Sequence, residues 1–398
     1  MLVSRFIKYA KIDTQSDEKS TSTPSTKKQY DLLKLLQKEL TEMGVKNELD
    51  QYGRLYGWLE GNKDYPCIGL CAHVDTADEA SGTNVNPTVI EQYKGGDIPL
   101  GESGLYLRPT EFKKLEECIN KTLIVTDGTT LLGADDKAGV SIIMETIAKY
   151  QKLPINERHP LSVLFTPDEE VGRGAEHFDA KKWGAKFAYT IDGNTPKKAN
   201  IENFNAKSAE VHVTGKAIHP GYAKGVMINA ARVLNTFLSY LPKNKVPEKT
   251  DKRQGYINIT EMSGACEKAF AHLTIRDHSK TKIEFLVDLI AVAKYKAEKK
   301  HPGAVVDVMV KDSYSNMFEI IEKYPECKEH LEKVYAKLGL PLEYEPIRGG
   351  TDGATFSFEG CPCPNLGTGS YNHHGRYEFA VLEEMETMVN VCTELLKI

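Results

Sequence analysis

Residues 161–165 (Leu-Ser-Val-Leu-Phe) form a short apolar run that Pro167 stops, and Asp168-Glu169-Glu170 follows at once. An apolar run ended by a proline reads as a buried strand. The acids therefore sit at a strand exit, where α/β proteins place their chemistry. No basic residue stands in Thr166-Pro167-Asp168-Glu169-Glu170-Val171-Gly172, so the carboxylates repel one another unless something positive lies between them. Taken alone, such a run describes a solvated loop. The pattern recurs, however, and the recurrence constrains the chain more than any one motif.

Four further segments put an acid or a histidine beside an apolar strand or at a helix start: Ala72-His73-Val74-Asp75-Thr76, Gly133-Ala134-Asp135-Asp136-Lys137-Ala138-Gly139, Ile191-Asp192-Gly193 and Tyr371-Asn372-His373-His374-Gly375. Singly, each has a plain structural reading: a strand-end histidine satisfied by the fold, or an Asp136 that caps a helix. Jointly they supply imidazoles and carboxylates without a thiolate, a donor set suited to zinc, manganese or cobalt. In an extended chain His73 and Asp75 face the same way, so Asp75 can hold the second nitrogen of a metal-bound imidazole. Two metals need about five ligands, one of them shared, with positions left open for water and substrate. Two divalent ions against Asp135, Glu170 and Asp192 leave one positive charge, which one bridging hydroxide matches. A remaining carboxylate, Glu169, can then move the water's proton to a leaving amine.

Bulk properties narrow the setting. A chain of 398 residues is too long for one ordinary core, which predicts two domains. A net charge of −5 offers no basic surface for nucleic acid. No apolar stretch is long enough to span a membrane. Charge interrupts residues 1–8 too early for a secretory segment. The eight cysteines are then expected to be reduced, structural thiols in a cytoplasmic protein. Cys361 and Cys363, flanking one proline, have neither zinc-knuckle nor redox spacing.

Along the chain, a helix is predicted over 30–43, stopped by Gly44, with strands at 67–71, 122–125, 161–165 and 188–191 and a helix over 139–150. This alternation predicts an α/β class: a mixed sheet with helices on both faces. Residues 206–314 change character, with strands at 209–213, 256–259, 269–275 and 305–310 and helices over 226–241 and 282–299. The β-α-β-β-α-β order is the ferredoxin-like pattern of a small α+β domain. Helices over 326–338 and 382–396 return to α/β character. The expected organisation is a catalytic domain of 1–205 and 315–398 with 206–314 inserted. The Ser/Thr-rich stretch 16–26 is expected to be a surface loop.

His73-Val74-Asp75, Gly133-Ala134-Asp135-Asp136, Asp168-Glu169-Glu170 and His374-Gly375 resemble the M20 family of two-zinc peptidases. Asn84-Val85-Asn86-Pro87, Gly95-Gly96-Asp97-Ile98, Glu202-Asn203-Phe204-Asn205, His219-Pro220-Gly221, Arg348-Gly349-Gly350-Thr351-Asp352-Gly353 and Cys363-Pro364-Asn365-Leu366 extend the resemblance to its aminotripeptidase branch, over essentially the whole chain. The resemblance implies that His73 and Asp192 bind one Zn2+, that Glu170 and His374 bind the other, and that Asp135 bridges them through a cis peptide to Asp136. It implies Asp75 as the orienting acid, Glu169 as general base, and cobalt or manganese as alternative metals. It makes the inserted domain a lid presenting His219, Asn229 and Arg276, and gives Arg348, on the catalytic domain, a share in clamping the substrate carboxylate. The implied substrates are small peptides, mainly tripeptides with a free N-terminus, and a homodimer is compatible with it. His373 stands where related enzymes carry an aromatic, and Asn194 where a glycine is expected; the register to Gly375 favours His374 as ligand.

The alternative within the class is a dipeptidase or acyl-amino-acid amidohydrolase on the same scaffold, and outside it a metal-bound protein without catalysis. A spare base at Glu169 argues against the latter. Gly172-Arg173-Gly174 lacks the third glycine of a dinucleotide loop, and no nucleophile-elbow serine is present.

Overall fold

The computed structural model describes residues 2–398, and the chain divides into two compact units. The first comprises the chain up to Ile201 with Met317–Glu345 and Thr351–Ile398; the second comprises Glu202–Asn316 with Pro346–Gly350.

The first unit is built on an eight-stranded mixed sheet in the order Lys46–Leu49, Leu55–Leu59, Leu161–Thr166, Ile68–His73, Phe187–Gly193, Asn365–Gly367, Lys198–Asn200, Glu343–Tyr344. The four strands from Leu161–Thr166 to Asn365–Gly367 run parallel, so their carboxyl ends share one edge. Side chains alternate between the faces as a pleat requires. Ile68, Leu70, Ala72, Val163, Phe165, Tyr189 and Ile191 join the main core, packed with residues of helices Leu2–Ala10, Gln29–Glu42, Ala134–Tyr150, Glu326–Leu338 and Leu382–Leu395. Tyr56, Cys71, Leu164 and Ala188 join Trp183 and Phe356, from helices Ala180–Trp183 and Asp352–Phe358, in a separate cluster. The mixed sheet thus has helices on both faces.

The strand expected at 122–125 forms at Leu123–Val125 but outside this sheet. It belongs to a four-stranded antiparallel sheet with Ser370–Tyr371, Phe379–Val381 and Thr88–Ile90, over its own core of Tyr93, Ile98, Leu100, Leu107 and Leu115. A three-residue strand shows no periodicity that could name its partner. The stretch 16–26 is a loop and largely at the surface, as expected, though Ser16 and Ser25 within it are buried.

In the second unit, strands Tyr256–Gly264, Lys268–Asp277, Asn205–Thr214 and Val305–Asp312 form one antiparallel sheet in that order. Helices Ala230–Ser239 and Lys280–Lys300 cover one face, packing Val233, Phe237, Leu286 and Ile290 on Val211, Val213, Leu273 and Ile275. The first of these helices begins four residues later than 226, because the Asn229 carboxamide accepts Arg232 N–H and caps it there. The excursion Pro346–Gly350 places Arg348 in this unit, not in the first, where it was expected. Its Nη1 donates to the carbonyls of Lys252 (2.8 Å) and Gln254 (3.0 Å), its Nη2 to Thr250 Oγ1 (3.0 Å), and its guanidinium lies over Phe204 and Tyr256.

Among the described residues no helix is long and apolar enough to cross a membrane, and all eight cysteines are free thiols.

Gly69, in the strand Ile68–His73, lets the second core approach. A Cβ there would lie 2.6 Å from Ala188 Cβ and 2.7 Å from Trp183 Cζ2. Gly69→Ala is expected to cost about 1–3 kcal/mol by overpacking. Urea denaturation should show a lower midpoint than wild type, and an unchanged midpoint would contradict this packing.

Candidate metal centre

The carboxyl ends of the parallel strands deliver the first side chains. His73 ends one strand, Asp192 lies near the end of the next, and Asp168-Glu169-Glu170 follows the strand that Thr166 closes. Asp135 arrives from another direction, in the turn that opens helix Ala134–Tyr150, where Asp135 and Asp136 have non-helical backbone and the peptide between them is cis. Close approach makes this possible: a Cβ on Gly139 would lie 1.9 Å from Ile191 O.

Asp135 is the meeting point. Its Oδ1 is 3.0 Å from His73 Nε2, and its Oδ2 is 3.1 Å from His373 Nδ1 and 3.5 Å from His374 Nε2. His73 Nε2 also lies 3.5 Å from Asp192 Oδ1, and His374 Nε2 lies 2.9 Å from Glu170 Oε2. Ligand atoms of His73, Asp135 and Glu170 fall within 4.8 Å of one another, as do those of His73, Asp136 and Asp192.

Around these stand the groups that hold them. Asp75, fully buried, has Oδ1 3.3 Å from His73 Nδ1. It also accepts the N–H groups of Glu169 (3.0 Å) and Glu170 (3.2 Å), so one carboxylate orients an imidazole and pins the acidic turn. Asp136 accepts Gly139 N–H (3.1 Å) and His73 N–H (3.3 Å), a cap and a tie to the neighbouring strand. Glu79 Oε1 lies 3.2 Å from His374 Nδ1. Asp168, at φ 58° and fully buried, points away from the cluster; it accepts Ser25 N–H and Oγ–H and Gln29 Nε2–H (2.7 Å).

The electrostatics are those of a site short of positive charge. Burial pushes Glu170 up to about 7, helped by the charge of Asp135 and opposed by His374. Burial likewise takes Asp192 to about 6, with Asp135 adding. Glu169 is raised well above the carboxylate range by burial and by Asp192. Burial pushes Asp135 upward as well, but His373, His374 and His73 outweigh it and hold the carboxyl well below its usual range. The hydrogen bonds of His374 to Asp135 and Glu170 raise it to about 12. Protons on the imidazoles of His73, His373 and His374 are the positive charges that face Asp135 and its neighbouring acids. Divalent ions would replace them, leaving neutral imidazoles and ionised carboxylates as ligands. The residues present fit such a pair: the donors are oxygen and imidazole nitrogen, and Glu170 Oε1 is buried without a hydrogen-bond partner.

Of the residues singled out in the sequence, His73, Asp75, Asp135, Glu170, Asp192 and His374 come together here, with Glu169 beside them on the same turn. His219, Asn229, Arg276 and Arg348 lie in the second unit. His219 Nδ1 accepts Gly221 N–H (3.1 Å), and Arg276 Nη1 donates to the Lys207 and Ile275 carbonyls. Sequence reasoning missed Glu79, the Ser25–Gln29 anchor of Asp168, and Glu378, which accepts three backbone N–H groups of the Asp135 turn.

A mixed α/β sheet with imidazole and carboxylate donors gathered at its carboxyl edge is a scaffold able to hold divalent metal ions. Residues 127–398 match Peptidase family M20/M25/M40, and the chain belongs to that family. More particularly, it is homologous to Peptidase T of Salmonella schwarzengrund (strain CVM19633): 42% identical over 398 residues, covering 99% of this chain and 97% of that protein. Among solved structures, the fold is similar to aminopeptidase PepT from Bacillus cereus ATCC 10987, with a TM-score of 0.76 at 21% identity over 99% of this chain and 97% of that one. It is similar also to a tripeptidase from Staphylococcus aureus subsp. aureus mu50, with a TM-score of 0.75 at 20% identity over 99% and 96%.

The Asp168 anchor generates a prediction that is independent of metal. Asp168→Ala takes the acceptor from the buried Ser25 N–H and Oγ–H, at about 1–3 kcal/mol for each such donor. Urea unfolding of chelator-treated protein should therefore show a loss of at least ~2 kcal/mol. A change within ±0.5 kcal/mol, typical of surface substitutions, would contradict the anchoring role.

Proposed function

We propose that the protein is a cytoplasmic zinc aminopeptidase that releases the N-terminal residue of tripeptides. Two Zn2+ would be held by His73, Asp135, Glu170, Asp192 and His374, with Asp135 shared. The observation that supports this best is the approach of His73 to one oxygen of Asp135 and of His374 to the other. Cobalt or manganese would suit the same donors. The full-length homology to Peptidase T supports the tripeptide substrate.

Metals bound there supply Lewis acidity and lower the pKa of a water molecule to about 7. The chain's own residues do the rest. Asp75 fixes His73 through its second nitrogen, as ligating imidazoles require. Glu169, on a turn whose N–H groups Asp75 holds and outside both ligand clusters, takes the proton of the attacking water. It delivers that proton to the amine nitrogen as the peptide C–N bond breaks, leaving the released residue with a new carboxylate.

The second unit serves in this proposal as a ferredoxin-like lid. Its β-α-β-β-α-β order and antiparallel sheet support that reading. His219 uses Nδ1 on its own turn, which leaves Nε2 to donate to the scissile carbonyl oxygen. Asn229 spends its oxygen on the helix cap and keeps its Nδ2 donors for substrate. Arg276 binds the substrate's C-terminal carboxylate. Arg348, with both terminal nitrogens donating to residues 250–254, contributes by holding that loop.

The Glu doublet tests the reading. Glu169→Gln should retain both metals while kcat for release of the N-terminal residue from a tripeptide falls by at least ~100-fold. Glu170→Gln should instead lose metal, measured by elemental analysis after dialysis. The reverse pattern would exchange the two roles, and cleavage of an N-acetylated tripeptide as fast as the free one would remove the aminopeptidase assignment.

A further inference from the structure

Glu378 is 1% exposed and belongs to none of the motifs above. Its Oε2 accepts Leu132 N–H (2.7 Å) and Gly133 N–H (2.8 Å), and its Oε1 accepts Asp135 N–H (2.9 Å). Three backbone donors thus converge on one buried carboxylate, all from the turn that carries Asp135. Among the described residues no Lys or Arg makes a salt bridge to it; the three N–H groups are its hydrogen-bond donors, with the charges of His373 and Lys137 nearby. Charge-assisted bonds of this kind are short and strong, and they fix the direction of the backbone that donates them.

The far end of the grip matters as much. Glu378 lies four residues after His374 in one tight loop: Glu378 N–H donates to Gly375 O (3.2 Å), and Asn372 Nδ2 donates to Tyr377 O (3.1 Å). The loop is held on both sides by the small sheet, through Ser370–Tyr371 before it and Phe379–Val381 after it. The segment that presents His374 therefore also clasps the backbone of Asp135, whose Oδ2 His374 faces at 3.5 Å. The two would-be ligands come from parts of the chain some 240 residues apart. Apart from the side-chain contacts themselves, the Glu378 clasp joins the two loops directly.

We propose that Glu378 is a positioning residue: it sets the spacing between Asp135 and His374, and with it the affinity of the metal position those two share with Glu170. This rests on the two-metal reading given above. The remaining position shares Asp135 but takes His73 and Asp192 from the central sheet, so it responds to Glu378 less strongly.

The test uses the full chain, freed of metal by chelation, titrated with zinc chloride against a chromophoric chelator. Glu378→Gln keeps the shape but offers one acceptor oxygen and an NH2 group, which must face a backbone N–H. Glu378→Asp keeps the charge but falls one methylene short of the turn. Both variants are expected to bind one zinc about 10–100-fold more weakly than wild type, in the range found when outer-shell partners are removed, and the other with a smaller loss. Far-UV circular dichroism of the metal-free proteins should match wild type, and excess zinc should restore kcat. Unchanged affinity at both positions would overturn the proposal. So would equal weakening of both, or failure of both variants to fold, since either would make Glu378 a residue of the general fold. A wild-type titration with a single step would instead count against the two-metal reading, so the two failures are distinguishable.

Discussion

The carboxylate of Asp135 is faced by imidazoles on both oxygens: His73 on one, His373 and His374 on the other. It is surrounded by further acids, Glu170, Asp192, Asp136 and Glu169, in a region largely closed to water. Such a cluster is costly unless positive charge enters it, because burial disfavours each added negative charge. The raised acids and raised imidazoles are two signs of one imbalance, which divalent cations would remove. Much of the surrounding architecture keeps these groups at close quarters despite their repulsion.

Three parts of the fold divide that work. The parallel strands bring His73, Asp192 and the Glu doublet to one edge of the sheet. Helix Ala134–Tyr150 brings Asp135 by packing against the strand below it, which requires a glycine at 139 because Ile191 O occupies the space of a side chain. The loop after the short strands Asn365–Gly367 and Ser370–Tyr371 brings His374. Behind three of the proposed ligands lies a buried polar contact to backbone: Asp75 to the Glu turn, Asp136 to the His73 strand, Glu378 to the Asp135 turn. Contacts of that kind cost little flexibility once made and leave costly unpaired donors when broken.

Much of this was legible in the residues before any coordinates. Apolar runs with sharp stops located the central strands, and the helix at Glu326–Leu338 was bounded at both ends by its pattern and by Gly339. The acids and histidines at strand exits picked out the centre because that combination has little structural use. Other features left no trace in the sequence. Glu378 is one acid between Tyr377 and Phe379, and only its three backbone partners, far off along the chain, reveal its use. Asp168 looked like a member of the acidic run, yet its positive φ turns it to Ser25 and Gln29. The apolar residues 226–228 suggested an earlier helix start, whereas Ile228 bridges to Lys216 and Asn229 opens the helix. Arg348 was placed by its neighbours in sequence, while its hydrogen bonds hold it in the other unit.

The claim that two metals share Asp135 is tested most directly by anomalous diffraction at the zinc edge from crystals grown with zinc. Two peaks are expected, one beside each oxygen of the Asp135 carboxylate and roughly 3.5–4 Å apart. A single peak, or a second peak in contact with neither Asp135 oxygen, would contradict the account.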